Sequence, residues 1–246
     1  MTRATTLLLA AALTILAGCS GDPAPAGSPE PSPTPPGGPV VRILPLGDSI
    51  TDGRKDPGSY RIELWKELTA SGVRLDFVGS KQSGPDSLPD RDHEGHSGFR
   101  IDEIDAEVTG WVHAADPRFV LIQLGTNDVL QDYQMAGAPE RMSKLLDHVI
   151  AAAPGADVYV ASLLPLEDKA QQARATAFNA ALPEIVRDKG ARVHFVDMHD
   201  KLTLKDLDDG IHPTAGGFVK MAQLWAGALK PQLTAAPVAS GKAPQG

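Results

Sequence analysis

The chain has 246 residues, 42% of them hydrophobic, which is enough for one domain with a substantial core once non-globular ends are set aside. Its net charge of -8 and the lack of any Lys/Arg cluster exclude the electrostatic footprint that grips phosphate backbones, so nucleic acid is not an expected partner and neutral or weakly charged substrates fit better. Aromatic residues make up 5%, too few to advertise a long sugar-stacking platform, and the single cysteine leaves no disulfide to form within the chain.

Residues 1–19 carry Arg3 and then an apolar run of about 12 residues ending in small side chains, the pattern of an export signal and too short to span a bilayer. Cys19 directly follows Leu16, Ala17 and Gly18. This resembles the lipobox of bacterial lipoproteins, which implies lipid on Cys19 and a protein tethered to the membrane outside the cytoplasm. Residues 20–39 are rich in Pro, Gly and Ser, cannot bury apolar surface, and read as a stalk. Residues 234–246 have the same character, leaving a globular unit over 40–233 that is expected to be a monomer.

Within that unit short apolar runs alternate with amphipathic segments. Strands are expected at 40–46, 74–79, 119–125, 157–164 and 192–198, and helices at 60–71, 101–114, 139–153, 169–189 and 215–229. Strand-helix alternation predicts an α/β fold with a five-stranded parallel sheet, and nearly all-apolar strands predict helices on both faces, a three-layer α/β/α sandwich. Ligands of such sheets collect beyond the carboxyl ends of the strands. Three polar stretches are expected there: GDSITDG at 47–53, LGTND at 124–128 and DDGIHPT at 208–214.

A serine hydroxyl needs a neighbouring imidazole to take its proton, so Ser49 and His212 are the candidate nucleophile and base. Asp209, three residues before His212 on a glycine-containing turn, is placed to hold the imidazole in the required tautomer. An oxyanion needs fixed donors. The Ser49 amide and the Asn127 side chain are two candidates, and Gly95 or Gly98 in HEGHSGFRI, 93–101, offers a third.

Read in order, GDSIT, HEGHSGFRI, GTND and DGIHPT resemble the four blocks of the SGNH, or GDSL, hydrolase superfamily. The resemblance implies a flavodoxin-like sheet, with Ser49, Asp209 and His212 as the triad and Ser49, Gly98 and Asn127 as the oxyanion hole. Residues 58–99 look like the carbohydrate-esterase branch typified by family 3 acetylxylan esterases, with Phe99 where that family often has tryptophan. An acylated carbohydrate is then the expected substrate, and the mechanism requires no cofactor.

Asp48 and Asp52 read first as hydrogen-bonding groups of the loop around Ser49, and Asp128 likewise beside Asn127. Asp48, Tyr60, Phe99 and Asp128 are the residues near the site loops that could meet substrate, with Tyr133 beside them. Trp65, Trp111 and Trp225 fall at apolar helix positions and read as core. His93 and His96 lack the helical spacing of a zinc site and read as polar loop, so no metal is expected. Two other functions stay open on the sequence: an esterase of lysophospholipid or other acyl lipid, and a non-catalytic lipoprotein that binds glycans or a partner.

Overall fold

In the computed structural model, which describes residues 39–234, the run VRILPLG forms the central strand β1 (Val41–Gly47). The remaining strands are β2 (Leu75–Phe77), β3 (Lys81–Gln82), β4 (Asp92–Gly95), β5 (Phe119–Gln123), β6 (Asp157–Ala161) and β7 (Val193–Val196). The helices are α1 (Ser49–Asp52), α2 (Arg61–Ala70), α3 (Ile101–Ala115), α4 (Thr126–Leu130), α5 (Ala138–Ala152), α6 (Lys169–Asp188) and α7 (Ala215–Thr234). The signal, lipobox and most of the stalk, including Cys19, and the tail from 235 onward lie outside the described residues.

The five expected strands pair in parallel in the spatial order β2-β1-β5-β6-β7, the flavodoxin-like arrangement. Two short strands were not expected. β4 runs parallel to the end of β1, pairing Leu46 with Glu94 and Gly47 with Gly95, and β3 pairs antiparallel with β4. The sheet therefore has seven strands, one of them antiparallel, where the sequence pointed to five parallel ones. DHEG lacks the apolar alternation of a strand; it is extended because β2 covers only the first half of β1 and leaves the edge beyond Ile43 to be paired.

Successive strand residues face opposite layers. Leu44, Leu46, Val120, Ile122, Val158 and Val160 pack with α3, α5 and α6, whereas Ile43, Phe77, Leu121 and Tyr159 pack with α2 and α7. All five residues of β5 and of β6 are buried, as the apolar runs require when both faces are covered. Of the three tryptophans, Trp225 is fully buried and Trp65 and Trp111 are half-buried. Trp111 borders a cleft of about 260 Å³ between α3 and the β2 and β4 edge, whose lining includes none of Ser49, Asp209 and His212.

Candidate active site

A Cβ at Gly47, the last residue of β1, would collide with the Gln123 carbonyl and the Thr51 hydroxyl, so only glycine lets the strand end pack beside β5 under α1. Asp48 caps α1, its Oδ1 accepting the Ile50 amide at 3.0 Å, and Ser49 is thereby the first residue of a helical turn beyond the strand. Its Oγ lies 2.8 Å from His212 Nε2. His212 Nδ1 lies 2.9 Å from Asp209 Oδ2 and 3.2 Å from Oδ1. A carboxylate can only accept, so Nδ1 carries the proton, Nε2 presents its lone pair, and the Ser49 hydroxyl donates to it.

The segment holding Asp209 and His212 is tied to itself. Asp209 Oδ1 accepts the Ile211 and His212 amides at 3.1 and 2.8 Å, Asp208 donates its amide to the His212 carbonyl at 2.8 Å, and Leu207 bridges Pro213. Thr214 secures the start of α7, its hydroxyl accepting the Gly217 amide at 3.1 Å. Partial burial opposes ionisation of Asp209, but the His212 amide, the Lys55 ammonium and the His212 ring together hold its carboxyl well below the usual carboxylate range.

On the other side of Ser49, Asn127 stands in the first turn of α4, and its Nδ2 donates to the Phe99 carbonyl at 2.9 Å, leaving one N–H for another acceptor. That bond brings Asn127 against the loop between β4 and α3. Gly98 lies in this loop, exposed, at φ 88°, a conformation that favours glycine. The Gly95 amide is already spent on His93 Nδ1 at 3.0 Å, so of the two glycines Gly98 is the one with its backbone toward solvent.

What fixes this loop was missed in the sequence. Ser97 Oγ donates to Asp52 Oδ2 at 2.6 Å, linking it to the end of α1. His96 Nε2 is 2.7 Å from the buried Glu94, whose oxygens also accept the Ser80 amide and hydroxyl at 2.8 and 2.6 Å. The His96 ring stacks on Trp111 and Phe99 at 4.2 and 5.1 Å. His93 is fully buried in β4, not in a polar loop as its setting suggested. Because His93 Nδ1 accepts from Gly95, Nε2 carries the proton and donates to Ser83 Oγ at 2.9 Å, which in turn donates to the Asp52 carbonyl at 2.7 Å. Burial, with Arg61, Lys81 and His96 nearby, pushes the His93 pKa down to about 3. This second serine-histidine contact cannot make the imidazole a base, since it donates to the hydroxyl.

Three residues expected from sequence proximity as substrate contacts are turned inward. Asp48, Tyr60 and Asp128 are each 0% exposed. Asp128 spends its oxygens on the Ile101 amide at 3.0 Å and Arg141 at 2.8 Å, so it caps α3 instead of meeting ligand. Tyr60 is enclosed between α2 and α7, 6.1 Å from Trp225. Asp48 is fully buried, and burial pushes its pKa up to about 6 against the pull of the Ile50 amide and the Thr126 hydroxyl. Phe99 is half-buried with its ring against His96, and Tyr133 is half-buried with its ring 4.2 Å beneath the Arg100 guanidinium.

Residues 46–218, from the end of β1 through His212 to the start of α7, match the GDSL-like lipase/acylhydrolase family. The chain belongs to that family. Among relatives of this GDSL-like chain, a multidomain esterase of Ruminococcus flavefaciens is 30% identical over 217 residues, 76% of this chain and 28% of the esterase. A second relative, from Acetivibrio thermocellus, is 27% identical over 131 residues and is matched over 55% of its length. The chain thus spans much less than the full length of these two proteins. Among solved structures, a Clostridium thermocellum family 3 carbohydrate esterase superposes with a TM-score of 0.72 at 33% identity, over 79% of this chain and 98% of that one. A family 3 carbohydrate esterase from Talaromyces cellulolyticus gives 0.69 at 30% identity, over 78% and 98%. An acetyl esterase mutant solved with an acetate ion gives 0.69 at 29%, again over 78% and 98%.

Proposed function

We propose that the chain is a serine esterase that removes small acyl groups, acetyl above all, from carbohydrate such as acetylated xylan. The hydrogen-bonded series Ser49 Oγ, His212 and Asp209 carries this reading, because it is the arrangement that makes a hydroxyl nucleophilic at neutral pH. His212 Nε2 takes the Ser49 proton as Oγ attacks the ester carbonyl carbon. The Ser49 and Gly98 amides and the Asn127 side chain are the donors proposed to receive the oxyanion. Collapse breaks the bond to the sugar oxygen, which leaves with the proton from His212 and leaves acetyl on Ser49. Water, deprotonated by His212, then attacks the acetyl-serine; acetate departs as Ser49 Oγ is expelled and takes the proton back from His212.

The acetyl and carbohydrate parts of the proposal are supported by the names of the solved relatives, family 3 carbohydrate esterases and an acetyl esterase. We further propose that the protein is exported and tethered through lipid on Cys19 by the stalk of 20–39, acting as a monomer on substrate outside the cytoplasm. The test is release of acetate from acetylated xylan and acetylated chitin-type sugars, and of fatty acid from long-chain acyl esters, with wild type and Ser49→Ala side by side. The expected result is acetate from xylan by wild type and a loss of about three orders of magnitude or more in Ser49→Ala. A preference for long acyl chains, or full activity in folded Ser49→Ala, would overturn it.

A further inference from the structure

Lys55 lies on the loop that follows α1, two residues past the α1 C-cap Gly53 at φ 79°. Its Nζ is 2.8 Å from Asp209 Oδ2 and 3.0 Å from Asp208 Oδ2. Asp209 Oδ2 is the same oxygen that accepts His212 Nδ1, so an ammonium and an imidazole converge on one atom. The other oxygen, Oδ1, serves the amides of its own loop. Those internal bonds shape the segment 207–213, but they do not place it relative to Ser49. The nucleophile sits on a helix of four residues and the acid and base on a loop beyond β7, and the two must register for His212 to stay 2.8 Å from Ser49 Oγ.

Lys55 spans the two loops. It reaches across from the nucleophile loop and pairs with both carboxylates of the acid loop, which would otherwise stand adjacent and repel. The two carboxylates, Asp209 first, also raise the Lys55 pKa, which keeps the ammonium charged at neutral pH. With Lys55 and Asp209 side chains 47% and 31% exposed, the contact lies within reach of dissolved salt.

We infer that Lys55 is a positioning residue, an ammonium strap that holds the Asp209–His212 loop on the Ser49 loop and makes the reactivity of Ser49 sensitive to ionic strength. The inference rests on the esterase reading above, and it concerns a residue that does not touch the reacting atoms. In the full chain, Lys55→Met is compared with Lys55→Arg and wild type on a chromogenic acetyl ester, at low salt and in about 0.5 M NaCl, with melting temperature as the folding control. Lys55→Met is expected to lower kcat about three- to five-fold at low salt with little change in KM, the scale of one partly exposed ion pair. Lys55→Arg is expected to restore most of the loss. Added salt is expected to lower wild-type kcat about two-fold and to leave Lys55→Met flat. A Lys55→Met enzyme with wild-type kcat and wild-type salt response, a defect confined to KM, or no rescue by Arg at unchanged melting temperature would each overturn the inference. Ser49→Ala, run beside them, separates the two failures: if it stays active the esterase reading falls, and if it is inactive while Lys55→Met behaves as wild type only the strap falls.

Discussion

Asp48, one residue before the nucleophile, is fully buried, and burial raises its pKa from 3.8 to about 6. A raised acid pKa means that the folded state holds the proton more tightly than the unfolded chain, so stability contributed by the neutral form is full below about pH 4 and is lost as pH rises toward 6. Asp48→Asn keeps an oxygen for the Ile50 amide and removes this cost. It should melt like wild type near pH 4 and gain about 3 kcal/mol over it at pH 8, read from chemical denaturation at both pH values. His93 has the opposite sign: its pKa falls from 6.5 to about 3, so the stability of its neutral form is complete above about pH 6.5 and erodes as pH drops toward 3. Between pH 6 and 4 this loss opposes the Asp48 gain in wild type, so His93→Gln, which removes only the His93 contribution, should gain stability relative to wild type as pH falls below about 6, read from chemical denaturation. Ser49, Asn127, Asp209 and His212 were legible because their spacing and their placement after strands follow from the chemistry. Lys55, Ser80 and Ser83 were not, because each acts on a partner brought close only by the fold, and no local pattern marks a lysine or serine for such a contact.

Among the elements, the five parallel strands of the central sheet other than β4 and the five long helices were readable from apolar runs and amphipathic spacing, since burial on one or both faces writes itself into the residues. The short pieces nearest the site were not. α1 and α4 are single turns set by Asp48 and by the positive-φ Gly125, and β4 is held by pairing with Leu46 and Gly47 and by the Glu94 carboxylate under Ser80 and His96. Glu94 is the test of that account. Glu94→Ala leaves the His96 ring and the Ser80 amide without their buried acceptor, and should lower unfolding free energy by about 3 kcal/mol in urea titration. If β4 were held by backbone pairing alone, the loss would be negligible.

At the scale of the whole molecule, a parallel sheet covered on both faces sends every long strand's carboxyl end to one edge, and this is why segments far apart in sequence meet there. All the proposed catalytic groups lie within residues 39–234, and the proposed tether lies before them. Cys19→Ser should accordingly move the protein from the membrane fraction to the soluble one after cell fractionation while kcat/KM on a soluble acetyl ester stays unchanged. The central claim is that His212 activates Ser49, and covalent labelling reads it without regard to substrate identity. The full chain is treated with a serine-directed organophosphate, and the adduct is located by peptide mass spectrometry and counted against remaining activity. The account predicts one adduct per chain, on Ser49, with esterase activity lost in step; an adduct on another residue, or a fully labelled Ser49 with activity intact, would contradict it.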